Sequence, residues 1–428
     1  MNEAPVQHDT GEAPLRPPAL GESPRLASLD AFRGLVIATM LLVNVTWDKS
    51  VFPQQMFHLG WNDGNLGATV TDLVFPWFLF IVGVAIPFSM HSGRGQSRTP
   101  TERVLIAFKR GLVLYLLGIL IWMATIANRG DPIGWRAFLH WDILPLIGAG
   151  YILGVVFYQS PVAVRVAFIV VVLLAKWAIL RFIPHPPTGE IVWTQQESVH
   201  RWLNAQLGWF GGFQQALPAA ATVLLGAFAG DLLRKGGRSI STAGRLIAFG
   251  LLFWGASWLW QLQPWAGLRE SAPGLASFID RIRLPYSKDY FTSSYVLLAA
   301  GTGACLLGVM YALVDVWRVT KFRWMQIFGL NAIALYFTVE MLWRLVFTRW
   351  QIVHPNGHAG SLIGGVLAWL REWGANLSVH LLSGPLGDTE RARLIGDHAG
   401  AWAHAIGYML LCWCFVWWLH RRKIYLKV

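Results

Sequence analysis

Cysteine and charge are what this chain has least of. Of its 428 residues, 3 are cysteine and 14% are Asp, Glu, Lys or Arg, whereas 55% are hydrophobic. Cys305, Cys412 and Cys414 all lie inside apolar runs, so they read as packing residues and imply neither a disulfide framework nor a zinc site. The chain has no nucleophile elbow, P-loop, HExxH or paired-cysteine motif. That removes support for serine-hydrolase, nucleotide-binding and zinc chemistry, and no metal is expected. Residues 1–24 are rich in proline and charge and lack an apolar core. They read as a disordered cytosolic tail, neither signal peptide nor anchor.

What is abundant is long apolar sequence. Mean hydropathy is +0.45, and ten runs of about 20 residues fall near 34–47, 70–90, 104–126, 141–158, 161–182, 213–233, 244–262, 290–316, 325–348 and 400–420. Each is long enough to cross a hydrocarbon core of roughly 30 Å. The fold class is therefore an all-α, polytopic membrane bundle of about ten helices, surrounded by membrane lipid, with one transmembrane domain over 25–428. The net charge of +12 is dispersed into short clusters between the runs, which argues against a nucleic-acid partner. The loop with His91, Arg94, Arg98 and Arg103, the loop with Arg234, Lys235 and Arg238, the loop with Arg318, Lys321 and Arg323, and the tail HRRKIYLKV are short and basic. The positive-inside rule puts them, and both termini, in the cytosol. Longer loops of mixed charge around 49–68, 183–212, 263–289 and 349–399 belong on the other face. The last of these carries Leu362, Val366, Leu370 and Trp373 at helical spacing, which predicts an interfacial or re-entrant helix.

Polar residues at the ends of such runs carry the chemistry. His58 stands in a short loop with Gly60, Trp61, Gly64 and Gly67, and Asp72 follows where the second run begins. A carboxylate there is costly unless paired. Pro76 cannot donate to the carbonyl of Asp72, which leaves backbone and side-chain oxygens free near one point. An imidazole titrates near neutral pH and suits proton transfer, with Asp72 as orienting partner and Trp61 as an apolar wall for the substrate. A lone loop histidine is more often a solvated surface residue, so its neighbours decide the matter. In the first run Asp30, Arg33, Asn44 and Asp48 fall on one helical stripe; Asp30 and Arg33 read equally well as a helix-start ion pair, and Asn44 as interhelical glue. Ser293, Ser294, Asn331 and Glu340 are further polar groups within runs, and Asn331 and Glu340 are too far round a helix to share one narrow face. Lys288 and Asp289 precede the TSSY stretch at the outer boundary, either as a substrate contact or as an interfacial ion pair.

The order RLASLDAFRGLVIATMLLVN, His58 in its loop, then TDLVFPWFLFIVGVAIPFSM, LPAAATVLLGAFAG, LPYSKDYFTSSYVL, FGLNAIALYF and HRRKIYLKV resembles the transmembrane acyltransferases related to lysosomal heparan-alpha-glucosaminide N-acetyltransferase. Bacterial NagX-type proteins look most similar. The resemblance implies cytosolic acetyl-CoA as donor, with no metal cofactor, and an amino-sugar acceptor on the periplasmic side of a bacterial inner membrane. It places the active-site histidine on His58, a buried aspartate on Asp72 and a helix asparagine on Asn44, here read as an oxyanion donor. Arg33, Asp30, Lys109, Arg110, Ser293, Ser294 and Asn331 become expected donor contacts, with Lys109 and Arg110 reading equally well as topology determinants; Trp61, Lys288 and Glu340 become acceptor contacts. The lysosomal enzyme's luminal region has no counterpart here, which implies an acceptor smaller than heparan sulfate. A homodimer stays open. The competing function is a sugar transporter for N-acetylglucosamine, in which the same polar residues line a permeation route and no chemistry occurs.

Overall fold

The computed structural model describes residues 26–59, 67–191, 198–207, 209–355 and 357–425. In chain order the described helices are α1 (Ala27–Val43), α2 (Val70–Met90), α3 (Gly93–Gln96), α4 (Pro100–Arg129), α5 (Ile143–Tyr158), α6 (Val162–Phe182), α7 (Val199–Leu207), α8 (Trp209–Gly236), α9 (Ile240–Gln261), α10 (Ala266–Ser271), α11 (Pro273–Ile282), α12 (Ser293–Tyr311), α13 (Arg323–Leu330), α14 (Ala332–Leu342), α15 (Leu362–Leu386) and α16 (Thr389–Arg421). A small antiparallel hairpin, β1 (Gln351–Val353) with β2 (Ala359–Ser361), precedes α15.

Side-chain caps set several starts. Thr99 and Glu102 form a capping box ahead of Pro100 at the first turn of α4, and Thr69 with Asp72 does the same for α2; both satisfy amides that a helix start leaves without partners. Among the described residues seven helices are long and apolar enough to cross a membrane, and α13 with α14 forms an apolar pair bent by 62°, either a broken span or a re-entrant loop. The shorter α1 and α5 account for the remaining apolar runs. The chain is an all-α, multi-pass membrane protein.

The first helix departs from its expected placement. It starts at Ala27, because the Asp315 carboxylate accepts from the backbone amides of Ala27 (3.3 Å) and Ser28 (3.0 Å), and it ends at Val43 with Asn44 as its C-terminal cap. The single stripe from Asp30 to Asp48 therefore does not exist. Asp48 lies beyond the helix and accepts from Arg371 (2.7 Å), which also grips Asp397 through two nitrogens at 2.8 and 2.5 Å. Hydrogen bonds from Ser50 and then Arg371 hold the Asp48 carboxyl down at about 2. This arginine ties the turn after α1 to α15 and α16, whose backbones meet closely at Gly374, Gly396 and Gly400. The predicted helix in the 349–399 loop is thus one of 25 residues paired with a 33-residue α16.

Close backbone approach also fixes the centre. A Cβ at Gly34 would run into the backbone carbonyl of Met325, and one at Gly329 into that of Asp30, so α1 and α13 touch where no side chain fits. The α2 and α8 helices meet likewise at Gly83 and Gly226. The surrounding core is built on Phe32, Phe80, Tyr295 and Phe328, all essentially inaccessible.

Candidate active site

The start of α2 and the segment before α12 build the site. The Asp72 side chain is buried and accepts from His58 Nδ1 at 2.7 Å, Leu59 N at 3.3 Å, Thr69 N at 3.1 Å and Thr69 Oγ1 at 3.0 Å. Every one of these partners can donate, which is the environment of an ionised carboxylate. The Nδ1 of His58 then carries the ring proton, and Nε2 is left as the base. The imidazole is 53% exposed while its partner carboxylate is 3% exposed, so the ring is anchored from beneath and open to a reactant. The backbone carbonyl that Pro76 leaves without its helical donor is taken by the Tyr295 hydroxyl at 2.5 Å.

Lys288 reaches the same ring. Its Nζ lies 3.3 Å from both Nδ1 and Nε2 of His58, which places the ammonium against the face of the imidazole, since both distances are equal. Burial pushes the Lys288 ammonium down, while Asp72 and Asp289 pull it back. The Ser287–Thr292 turn that carries it is stitched together: Thr292 Oγ1 accepts from Ser287 N at 3.1 Å and donates to Pro285 O at 3.0 Å. Phe291 in this turn adopts φ 49, a conformation that costs a bulky residue of the order of 1–3 kcal/mol and is held by its surroundings.

Lys288 also borders a cavity of about 600 Å³, together with Asp142, Asp289, His200, Trp141 and Tyr290. Its aromatic walls and two carboxylates suit a small polyhydroxylated molecule with an amine. A second cavity of about 310 Å³ opens toward the basic end of the bundle, lined by Arg33, Arg110, Ser89, Tyr151, Phe78 and Gly329 among others. The two share helices. Phe75 and Leu146 line the first, Phe78 and Ile147 the second, so α2 and α5 contribute to both.

The expected residues divide accordingly. His58, Asp72 and Lys288 come together, and of the three Lys288 borders the first cavity; Arg33 and Arg110 come together at the basic one, with Asp30 paired to Arg33 at 3.4 Å and Lys109 exposed beside it. Ser293 and Ser294 are both fully buried, and their hydroxyls donate to the carbonyls of Leu173 (2.6 Å) and Pro285 (3.2 Å). They hold the turn that presents Lys288 and line neither cavity. Asn331 sits at the α13–α14 bend and donates to Ile424 O at 3.0 Å, presenting Leu330 and Ala332 to the basic cavity rather than its own amide. Asn44 donates to Glu340 at 3.4 Å, and Glu340 pairs with Arg344. Trp61, Gly60 and Gly64 lie outside the described residues.

Sequence reasoning did not single out Tyr295, Asp142, or a buried pair formed by Lys176 Nζ and His200 Nδ1 at 3.0 Å, with Gln215 on the other ring nitrogen at 3.2 Å. A lysine within the run VRVAFIVVVLLAKWAIL was the available signal. Burial first, and then the neighbouring Lys176, hold His200 well below the usual imidazole range. In the unfolded chain that ring protonates near pH 6.5. The folded state is therefore favoured in full above that pH and loses stability as pH falls below it, by up to about 1.4 kcal/mol per unit. Thermal unfolding in detergent at pH 8, 6.5 and 5 is expected to show a shallower acid slope for His200→Gln than for the parent; equal slopes would remove His200 as the cause.

A bundle of long apolar helices, with a buried carboxylate holding an imidazole and a separate cavity lined by arginines, defines a multi-pass membrane protein with a candidate site. Residues 25–260 match the family described as Heparan-alpha-glucosaminide N-acetyltransferase, catalytic, and the chain belongs to that family. It is 37% identical over 158 residues to heparan-alpha-glucosaminide N-acetyltransferase of Homo sapiens, covering 36% of this chain and 21% of the relative. It is 35% identical over 136 residues to the Mus musculus protein of the same name, covering 31% and 18%. The matched stretch spans about a fifth of the length of these curated relatives.

Proposed function

We propose that this chain is an acetyl-CoA-dependent N-acetyltransferase of a bacterial inner membrane, taking the acetyl group at the cytosolic face and delivering it to a glucosamine-type acceptor at the periplasmic face. The observation that carries the reading is that two cavities are lined from the same two helices, α2 and α5: Lys288, in contact with the His58–Asp72 pair, borders one, and Arg33 and Arg110 border the other. Phosphates are prohibitively costly in an apolar core. The nucleotide of the donor stays at the arginines, and its slender pantetheine arm passes between Phe75, Phe78, Leu146 and Ile147 to bring the thioester to the outer cavity. Only the acetyl group crosses.

At that point an acceptor amine must lose a proton to become a nucleophile. His58 Nε2 accepts it while Asp72 keeps Nδ1 protonated and stabilises the imidazolium. Lys288, with its ammonium at the imidazole face and its place on the cavity wall, stands where the thioester oxygen develops charge. The amine nitrogen bonds to the acyl carbon, the carbon–sulfur bond breaks, and the thiolate of CoA leaves with a proton.

Detergent-purified protein with radiolabelled acetyl-CoA and a set of amino sugars tests this: label is expected in an N-acetyl product with a free amino sugar, and none with N-acetylglucosamine. Movement of N-acetylglucosamine into sealed vesicles without acetyl-CoA would replace the enzyme by a transporter. Arg33→Gln with Arg110→Gln is expected to raise the KM for acetyl-CoA by roughly tenfold or more while kcat changes little, since each charge-assisted hydrogen bond is worth about 1.5–3 kcal/mol. An unchanged KM would take the arginines out of the donor site.

A further inference from the structure

At the basic end of the bundle, on the side of α2, α4 and α5 that faces α6 and α8, lies a third cavity of about 420 Å³. Four cationic side chains border it, Arg103, Arg165, Arg234 and Lys235, against a single carboxylate, Asp231. Three of them are fixed. Arg103 donates twice to the carbonyl of Gly95, at 3.2 and 2.9 Å. Arg165 donates to Ser160 O at 2.8 Å, lies 3.5 Å from Asp231, and stacks its guanidinium 4.1 Å from the Tyr158 ring centre. Arg234 lies 3.7 Å from Asp231, and its Nε is buried without a hydrogen-bond partner among the described residues. The amide oxygen of Gln159, also on the cavity wall, is buried and unpartnered too; turning that amide would offer a further N–H.

Charges that serve only to orient a membrane protein need no fixed geometry. Here Arg165 is 15% exposed, oriented by a backbone carbonyl, a carboxylate and an aromatic face, and the excess positive charge converges on a concavity at the ends of the apolar helices α2, α6 and α8. We propose that this cavity is a site for a phosphate group. Guanidinium N–H donors fix the planar edge of such a group, and Lys235 supplies a mobile point charge. Two sources carry this chemistry at the basic face: the headgroup of an anionic phospholipid, which packs its chains against the exposed apolar face of α6, including Val166 and Val170, and soluble phosphate. Basic pockets between spanning helices on this side of a membrane recognise anionic headgroups.

The site stands apart from the donor cavity, so it is tested without turnover. Thermal unfolding of the full-length protein in zwitterionic detergent is followed on addition of phosphatidylglycerol, phosphatidylcholine or inorganic phosphate, at low and high salt. A rise of several degrees with phosphatidylglycerol alone, weakened by salt, identifies the lipid source; an equal rise with inorganic phosphate identifies the soluble one. Either rise must need roughly tenfold more ligand in Arg165→Gln. Because that variant leaves Asp231 without one of its partners, Lys235→Glu, at an exposed position, serves as the second arm and is expected to weaken the response similarly. No ligand-dependent rise, or the same response in the parent and in Lys235→Glu, would overturn the proposal.

Discussion

Replacing His58 by alanine is expected to lower the rate of acetyl transfer by about 10²–10⁴, the usual worth of a positioned general base, while acetyl-CoA binds as before. The two effects separate because His58 contacts Lys288 and Asp72, whereas Arg33 and Arg110 line a different cavity. The side chain is half exposed and donates to one buried carboxylate, so its loss removes little packing. Steady-state rates with saturating acceptor, alongside calorimetric titration with CoA, check both halves. A rate within a few-fold of the parent would remove the imidazole from the reaction.

Asp72→Asn is expected to cost the rate about as much, on the order of 10²–10⁴, for a different reason. The carboxylate accepts from His58, Leu59 and both donors of Thr69. An amide presents one acceptor oxygen and one NH2, which must face either a histidine nitrogen or backbone N–H groups. If it faces Nδ1 it favours the tautomer with the proton on Nε2, which no longer accepts one from the substrate. The capping box at the start of α2 is weakened as well, by roughly 1 kcal/mol. The rate loss is expected to exceed what the small fall in thermal stability explains, and the pH dependence of the residual rate is expected to lose its His58 limb. A variant with the parent's pH profile would make Asp72 a helix cap only.

The fold was legible because apolar runs of membrane-crossing length leave few alternatives, and every such run is a helix. What local pattern did not contain was where α1 begins, since the Asp315 carboxylate that caps it lies 287 residues away from Ser28. Nor did it contain the break at Asn331, which the fold makes by turning that amide to the chain's end. The site was legible where one residue type was out of place in its surroundings: a carboxylate at the start of a membrane helix, a proline one turn later, a histidine in the loop before. The free carbonyl predicted from Pro76 is real, and its partner Tyr295 was hidden by distance in the chain. The roles Ser293 and Ser294 take up, donating to the carbonyls of Leu173 and Pro285, are common for hydroxyls in apolar helices, and their partners lie far off in the chain or across a turn. Lys288 and His58, 230 residues apart, meet only through the packing of α12 against α2.

The central claim is that an acyl group passes from a donor held at the basic face to an acceptor held at the His58 face. Proteoliposomes in which the basic face points outward, loaded with glucosamine and given labelled acetyl-CoA outside only, measure it directly. Labelled N-acetylglucosamine accumulating inside, with an equal amount of free CoA remaining outside and neither event in vesicles of His58→Ala, is the predicted result. Product formed only when acetyl-CoA and glucosamine share one compartment would contradict transfer across the bundle.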